Sequence, residues 1–334
     1  MYRRPAILFI ALLTVLCAAS PLAAQAGRWE TGSASDSSGS SRAYKLWVPS
    51  GYNNSKPVPL VLMLHGCTQT PADFAAGTQM NALADKHNFM VVYPAQPAEA
   101  NPVKCWNWFQ PEHQQRGAGE PALLAAVVSR VRATYKVDDR RIYVVGISAG
   151  GAMAVIMGVA YPDIFSAVGV SAALQYKAAS NVGEALAAQS AGSRQDPNAQ
   201  GTLAYRAMHD IKPAPRKRRI PLIVFQGSLD VAVAPANAAQ IITQWAQMND
   251  YLDDDADNNT VDDKAESTTP GAVPNGHSYE RSVYKDKSGR VLLEKWMVEG
   301  MRHAWPGGSS AGTYTDPKGP NASAEMWRFF TETR

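Results

Sequence analysis

Apolar segments with the composition of β-strands alternate with helix-like segments along most of this chain. A strand that is joined to the next strand by a helix lies parallel to it, so the alternation predicts an α/β fold. We expect a mainly parallel sheet with helices on both faces, in a single domain over residues 42–334. The predicted strands are 58–64, 89–93, 141–145, 165–170 and 221–225, and the predicted helices are 71–87, 121–135, 149–160, 235–248 and 322–330.

The N-terminus has the pattern of a secretory signal peptide. Arg3 and Arg4 precede an apolar run over 6–19, and the small residues of Ala24-Gln25-Ala26 form a typical cleavage site. The apolar run is shorter than the ~20 residues that span a bilayer. We therefore predict that residues 1–26 are removed, that the protein is secreted to the periplasm or the medium, and that it has no membrane anchor.

Basic and acidic side chains nearly balance. The chain has 32 Lys and Arg against 29 Asp and Glu, and removal of the signal peptide would take away Arg3 and Arg4 and leave 30 against 29. A nearly neutral surface gives no bulk attraction to nucleic acids or anionic membranes. We expect neither as a partner.

Three segments depart from the alternating pattern. Residues 27–41 are rich in Ser and Gly and are predicted to form a flexible leader. Residues 175–219 carry no strand signal, and a cap over the site and a solvated insertion are both compatible with them. Residues 250–275 begin with a crowd of Asp and Asn and are predicted to be an acidic surface loop, where a weak calcium site is left open. No Cys-x-x-Cys or His-Glu-x-x-His pattern is present, so we predict no metal site.

A serine pentapeptide follows the strand 141–145. Gly146-Ile147-Ser148-Ala149-Gly150 stands between that strand and a helix, the context of a nucleophile elbow. The glycines allow a tight turn, and Ser148 would project its hydroxyl from the edge of the sheet. The sequence therefore predicts that Ser148 is a catalytic nucleophile.

A serine hydroxyl needs a base, and the base needs an orienting acid. Asp230 follows the strand 221–225, and His303 opens a glycine-rich loop after a β-rich run, so these two residues complete the predicted triad with Ser148 in the chain order of this motif. Four other histidines are predicted to be surface or packing residues: His87, His113, His209 and His277.

Acyl transfer also requires donors to the developing oxyanion. The amide of Ala149 is one candidate, and the second is expected from the turn His65-Gly66-Cys67 after the strand 58–64. Once the signal peptide is removed, Cys67 and Cys105 are the two cysteines of an exported chain. They most simply form one disulfide, with two separate buried thiols as the alternative.

Six motifs follow one another along the chain: His65-Gly66-Cys67-Thr68-Gln69, Tyr93-Pro94, Cys105-Trp106-Asn107-Trp108-Phe109, Gly146-Ile147-Ser148-Ala149-Gly150-Gly151 with Met153, Tyr161-Pro162-Asp163-Ile164-Phe165, and His303-Ala304-Trp305-Pro306-Gly307-Gly308. Together they resemble the polyhydroxybutyrate depolymerase family of esterases, which includes feruloyl and acetyl xylan esterases.

The resemblance implies an α/β-hydrolase fold, a serine esterase mechanism and no cofactor. It carries the triad onto Ser148, Asp230 and His303, places the Cys67 amide in the oxyanion hole, and implies a disulfide between Cys67 and Cys105. Family members that attack crystalline polyester usually append a linker and a polymer-binding domain. The sequence up to Arg334 shows neither a linker nor a polymer-binding domain, so we expect soluble esters or oligomers as substrates.

Tryptophans flank the predicted site. Trp305, two positions after the predicted base, is expected to line a substrate pocket. For Trp106 and Trp108, packing around the disulfide is favoured over a pocket role.

The leading hypothesis is an esterase acting on hydroxybutyrate or hydroxyalkanoate oligomers or related short-chain esters. Removal of feruloyl or acetyl groups from plant polysaccharide is the rival among enzymes. A non-catalytic exported binding protein that keeps the fold is the rival from another class.

Overall fold

The computed structural model describes residues 1–2, 26–211 and 218–333 of the chain. Residues 3–25 of the predicted signal peptide therefore lie outside the described residues, as does the segment 212–217 near the end of the possible cap. None of the described helices combines the length and the apolar character that crossing a membrane requires.

The described residues form twelve strands, eight α-helices and a 3-10 turn at Pro111–His113. The strands are β1 (Arg28–Ser35), β2 (Ser41–Val48), β3 (Val58–Leu64), β4 (Met90–Pro94), β5 (Val137–Ile147), β6 (Ala167–Ser171), β7 (Leu222–Gly227), β8 (Ser267–Ala272), β9 (Ser278–Lys285), β10 (Val291–Val298), β11 (Trp305–Pro306) and β12 (Thr315–Asp316). The helices are α1 (Pro71–Thr78), α2 (Met80–His87), α3 (Gly119–Thr134), α4 (Ala149–Ala160), α5 (Val182–Ala191), α6 (Pro197–His209), α7 (Ala236–Asp254) and α8 (Ala322–Glu332).

Ten of the described strands form one sheet, in the order β1-β2-β4-β3-β5-β6-β7-β10-β9-β8. Neighbours from β4 to β10 run parallel, while the pairs at both edges run antiparallel. The central strands β3, β4, β6 and β7 are buried along their whole length, as expected of parallel strands that are covered on both faces. The predicted α/β fold with a mainly parallel sheet is confirmed.

Alternate residues of β3 show how the helices cover the two faces. Leu62 belongs to a buried cluster that includes Leu124 of α3 and Met153 of α4. Val61, on the opposite face, belongs to a second cluster with Phe74 of α1 and Phe330 of α8. Because side chains alternate along a strand, one continuous apolar run can serve both layers.

The segment predicted to be a flexible leader, 27–41, contains a strand, which corrects that expectation. β1 pairs with β2 over eight residues, from Arg28 opposite Val48 to Ser35 opposite Ser41. Trp29 also contacts Trp47 edge to face, with ring centroids 5.1 Å apart. An edge strand is held by its backbone and a few cross-strand contacts, so Ser/Gly-rich composition conceals it.

The predicted acidic loop 250–275 is also corrected. Its first residues continue α7, and Ser267–Ala272 forms β8. The carboxylate of Asp250 is buried, and it accepts hydrogen bonds from the backbone N–H groups of Asn258, Asn259, Thr260 and Val261. The acidic residue at 250 therefore organises this turn.

The segment 175–219, for which a cap and a solvated insertion were both open, contains helices α5 and α6. Asn181 and Asp196 cap their N-termini by accepting hydrogen bonds from first-turn amides. The single helix predicted over 71–87 is two helices, because Gln79 adopts a left-handed conformation with φ 54° between α1 and α2.

A buried histidine fixes the loop that follows β3. His65 is 1% exposed, and its Nε2 accepts a hydrogen bond from the Gln96 N–H at 3.1 Å. Its Nδ1 must then carry the proton, which it donates to the Gly66 carbonyl at 2.7 Å. Burial lowers the pKa of His65 to about 4, with the Gly66 hydrogen bond acting in the opposite direction. The ring is therefore neutral at neutral pH and holds the Gly66–Cys67 peptide in one orientation.

A buried carboxylate extends this support. Glu120, at the start of α3, accepts hydrogen bonds from the Asn107 N–H and Nδ2, both at 2.8 Å, and from Gln96 Nε2. Gln96 Nε2 also donates to the Cys105 carbonyl at 2.9 Å. Cys105 forms a disulfide with Cys67, as the sequence predicts. The loop after β3 is thus joined both covalently and by hydrogen bonds to the segment around Cys105.

Lowering the pH is expected to destabilise the fold through His65. Above pH 6.5, the pKa of this histidine in the unfolded chain, the contribution of the neutral ring to the free energy of unfolding is complete. That contribution is lost as the pH falls towards the folded pKa of about 4. The loss is about 1.4 kcal/mol per pH unit. Urea unfolding between pH 7 and pH 4.5 should therefore show a steeper decline for the wild type than for His65→Asn. Equal slopes would show that His65 does not titrate differently on unfolding.

Replacing both Cys67 and Cys105 by alanine is expected to lower the free energy of unfolding. The chain-entropy value for a bridge between residues 38 apart is about 4 kcal/mol. Denaturant titration of the double variant measures the loss, and the wild type reduced with dithiothreitol serves as the control. Unfolding midpoints that matched the oxidised wild type would contradict this role of the bridge.

Candidate active site

The predicted nucleophile occupies a strained turn between β5 and α4. Ser148 has φ 57° and ψ −126°, a conformation that L-residues rarely adopt. The turn needs both flanking glycines. A Cβ on Gly146 would lie 2.2 Å from the Gly150 carbonyl oxygen, and a Cβ on Gly150 would lie 2.2 Å from the Leu64 carbonyl oxygen. The Ser148 hydroxyl does not cap α4, so it is available for other chemistry.

Asp230 and His303 are hydrogen-bonded to each other across 73 residues of chain. His303 Nδ1 lies 2.8 Å from Asp230 Oδ2. The other carboxylate oxygen of Asp230 accepts the N–H groups of Ala232 at 2.9 Å and Val233 at 2.8 Å, and Gln226 Nε2 lies 3.1 Å from Oδ2. The carboxylate is therefore fixed in the turn after β7, and it selects the tautomer of His303 that leaves Nε2 unprotonated.

Ser148 and His303 line one cavity of about 200 Å³. Ser148 is 8% exposed, and the side chain of His303 is 15% exposed. The structure thus brings the predicted nucleophile and base to one small, accessible site, with the predicted acid buried behind the base. The residues that line this cavity are Gly66, Cys67, Gln69, Ile147, Ser148, Gln189, Ala232, His303 and Tyr314.

Backbone donors are available beside Ser148. Ala149 is the first residue of α4, so its amide belongs to the first turn, where backbone N–H groups lack partners within the helix. Cys67 lines the same cavity, and its peptide is oriented by His65. Both residues of the predicted oxyanion hole therefore lie at the site, where they can stabilise negative charge on a bound oxygen.

The structure places Trp305 in the core, which corrects its expected position in a pocket wall. Trp305 is 1% exposed, packs edge to face against Phe74 at 5.6 Å, and donates its indole N–H to Ser323. The chain bends at His303 and Ala304, so that the indole of the next residue turns away from the cavity. Trp106 and Trp108 are also buried, in keeping with a packing role.

Sequence reasoning did not identify Gln69 and Tyr314 as residues of the site. Gln69 is buried, accepts the Gly66 N–H at 2.8 Å and donates to the Thr313 carbonyl at 3.0 Å. Tyr314 stands in a loop without a recognisable motif. Gln69 belongs to the motif that begins at His65. Its place in that motif was the one sequence signal that could have identified it as a residue of the site.

The segment 175–219 reaches the site through α5. Gln189 on this helix lines the cavity that Ser148 and His303 share, and its backbone carbonyl accepts a hydrogen bond from the Ala234 N–H at 2.7 Å. This contact joins α5 to the loop that carries Asp230. One side of the cavity is therefore formed by the segment for which a cap was considered.

A larger cavity, of about 960 Å³, lies at the amino ends of the strands, opposite Ser148. Its charged side chains are largely engaged with protein groups. Arg141 pairs with Asp138 at 2.7 Å, and Arg218 donates to the carbonyls of Pro162 and Phe165. In the described part of the chain, no group of three or more His, Cys, Asp or Glu side chains is arranged to hold a metal ion.

Comparison with known proteins adds a family to this geometry. The model of the family described as esterase PHB depolymerase matches residues 42–269. The chain is 34% identical over 262 residues to poly(3-hydroxyalkanoate) depolymerase C of Paucimonas lemoignei, which covers 78% of this chain and 57% of that protein. It is 28% identical over 200 residues to feruloyl esterase B of Neurospora crassa, which covers 58% of this chain and 66% of that protein. The matched regions span less than two thirds of either relative.

A solved structure shares the fold. The acetyl xylan esterase from Aspergillus awamori superimposes with a TM-score of 0.66 at 20% identity, over 87% of this chain and 94% of that chain. At this identity the likeness establishes the α/β-hydrolase architecture alone. The family match covers more than half of the chain and includes Ser148 and Asp230. The protein belongs to the esterase PHB depolymerase family.

Proposed function

We propose that the protein is an exported serine esterase that hydrolyses carboxylic esters through an acyl-enzyme. The observation that carries this proposal is the hydrogen bond between His303 and Asp230, made at the cavity that Ser148 also lines. A packing histidine has no need of a buried carboxylate or of a strained serine beside it. A non-catalytic binding protein would not need this combination either.

Acylation begins when Ser148 attacks the ester carbonyl carbon. His303 Nε2 removes the hydroxyl proton, because Nδ1 already donates its proton to Asp230. Asp230 stabilises the imidazolium that forms, and it keeps the ring oriented. The imidazolium then donates the proton to the leaving alcohol, and the acyl group stays on the serine oxygen.

The carbonyl oxygen becomes negatively charged in this step. The amides of Cys67 and Ala149 stabilise it, and loss of one such donor typically costs ~100- to 1000-fold in rate. The Cys67 amide is held by the disulfide and by the neutral ring of His65. Donors that are fixed before the reaction need no reorganisation when charge develops.

Deacylation repeats the chemistry with water. His303 takes a proton from water, which attacks the acyl-enzyme, and the same imidazolium returns the proton to the Ser148 oxygen. The acid is released, and the free enzyme is restored.

Short acyl groups fit the site best. The cavity of about 200 Å³ is smaller than the ~300–1,000 Å³ of sites for drug-sized ligands. Of the two relatives described above, the depolymerase of Paucimonas lemoignei has the higher sequence identity to this chain. Both observations support hydroxyalkanoate oligomers or related short-chain esters as substrates.

Removal of acyl groups from plant polysaccharide is the second candidate. It is supported by the relative named feruloyl esterase B, at 28% identity. Export to the periplasm or the medium is supported by the disulfide, since such bridges persist in oxidising compartments. We propose no cofactor and no nucleic-acid partner.

Replacing Ser148 by alanine is expected to abolish hydrolysis of p-nitrophenyl butyrate and labelling by a fluorophosphonate probe. The wild type should lose activity in proportion to the label it takes up. Gly150→Ala, which crowds the same turn, is a matched variant that keeps the hydroxyl and should react more slowly. Hydrolysis by Ser148→Ala at the wild-type rate would refute the serine mechanism.

A panel of three esters separates the two candidate functions. We expect kcat/KM to be highest for hydroxybutyrate oligomers. It should be lower for methyl ferulate, because a small cavity favours a short acyl chain over an aromatic one. It should be lower for acetylated xylan, because the relative with 34% identity is a poly(3-hydroxyalkanoate) depolymerase. Initial rates are measured on the purified mature protein, with Ser148→Ala as the blank. A higher value for acetylated xylan or methyl ferulate would instead establish the polysaccharide esterase.

A further inference from the structure

Tyr314, which lines the cavity, and Thr68, the residue after Cys67, have left-handed backbone conformations and contact each other. Thr68 has φ 66°, and Tyr314 has φ 51°. This region is unfavourable for β-branched and bulky residues, and such strain persists where the surrounding structure imposes it. The Tyr314 hydroxyl lies 3.3 Å from Thr68 Oγ1, although 246 residues separate them in sequence.

The direction of this hydrogen bond follows from the partners of Thr68. Thr68 Oγ1 donates to the Cys67 carbonyl at 2.6 Å, so its oxygen is left to accept the proton of the Tyr314 hydroxyl. The contact therefore ties the loop that carries Tyr314 to the loop that carries the Cys67 amide.

The backbone around Tyr314 is held from several sides. The Tyr314 carbonyl accepts the Trp305 N–H at 2.7 Å. The preceding residue, Thr313, donates its N–H to Asp73 at 3.0 Å, and its carbonyl accepts from Gln69 at 3.0 Å. These contacts leave the chain little freedom to relax the left-handed conformation.

The ring of Tyr314 lies beside the catalytic base. Its centroid is 6.1 Å from that of His303, with the two planes at 74°. Tyr314 lines the catalytic cavity and is nevertheless 46% exposed, so part of its ring is open to a bound ligand. A partly exposed aromatic ring offers a rigid apolar surface at little entropic cost.

We infer that Tyr314 is a specificity-determining residue that contacts the alcohol portion of the ester. This inference rests on the proposed function. His303 must donate its proton to the departing alcohol. The alcohol portion of the substrate therefore lies on the His303 side of the cavity, next to Tyr314. The hydrogen bond to Thr68 keeps the ring in this position. The inference predicts selectivity among alcohols and leaves selectivity among acyl groups to the rest of the cavity.

Tyr314→Gly removes the ring and relieves the left-handed strain, since glycine tolerates φ 51°. With butyrate as the common acyl group, kcat/KM for the benzyl ester relative to the methyl ester should fall roughly 2- to 10-fold, as expected for the loss of one aromatic contact. With p-nitrophenol as the common alcohol, the ratio of acetate to butyrate should stay within about twofold. The deacylation rate of the butyryl-enzyme should also be unchanged, because the alcohol has left by then.

Asn259→Gly is the matched control. Asn259 has φ 58° in the turn beyond the end of α7, so glycine relieves the same kind of strain away from the cavity. Both selectivity ratios should equal those of the wild type. Circular dichroism and fluorophosphonate labelling establish that each variant is folded and retains a reactive Ser148.

The hydrogen bond is tested separately with Tyr314→Phe and Thr68→Val. Each should lower the benzyl-to-methyl ratio by less than Tyr314→Gly, and the double variant should lower it no further than either single variant, because both remove the same interaction. These variants keep a bulky residue at 314, so they also test the inference if the glycine variant does not fold.

Several results would overturn the role of Tyr314. They are an unchanged or raised benzyl-to-methyl ratio in Tyr314→Gly, a changed acyl ratio, or an equal fall for every substrate. If the wild type hydrolyses these esters and Tyr314→Gly leaves the benzyl-to-methyl ratio unchanged, this inference alone is overturned. Full activity of Ser148→Ala would overturn the proposed function beneath it.

Discussion

The site depends on the turn that carries Ser148 from β5 into α4. A chain that passes from a strand into a helix within a few residues must reverse its direction. Here the reversal is made at Ser148, whose φ is positive. The close approach leaves no room for a Cβ on Gly146 or Gly150. The same geometry aims the start of α4 at the hydroxyl, so the proposed nucleophile and the proposed amide donor are placed by one backbone conformation. The strain is sustained by the buried strands on either side of β5.

Around this turn, each group of the proposed catalytic machinery is fixed by groups with no proposed part in the reaction. Asp230 is held by two backbone amides and by Gln226, while His65 holds the Gly66–Cys67 peptide. Glu120 in turn holds the segment around Cys105. The side chains of Asp230, His65 and Glu120 are buried, and each is hydrogen-bonded, as a low-dielectric interior requires. The polar network explains how loops can present donors as precisely as a regular element does.

The central elements could be predicted from the sequence, because strongly apolar runs have few alternatives. β3 and α4 have the predicted bounds, and the order serine, acid, base placed Asp230 and His303 at neighbouring strand ends, where they form a hydrogen bond. The edge strand β1 was missed because its pairing is made by the backbone. Trp305 was misplaced because nearness to His303 in sequence does not fix direction after a bend. Tyr314 was missed because no local pattern marks a left-handed aromatic residue.

The outer strand β8 has a consequence for the behaviour of the folded chain in concentrated solution. It borders the sheet, and it carries Pro270 and Gly271 in its middle. Proline offers no N–H to an incoming strand, and glycine provides no side chain for a neighbour to pack against. A second molecule therefore finds a poor template for sheet extension at this border, which disfavours edge-to-edge pairing there.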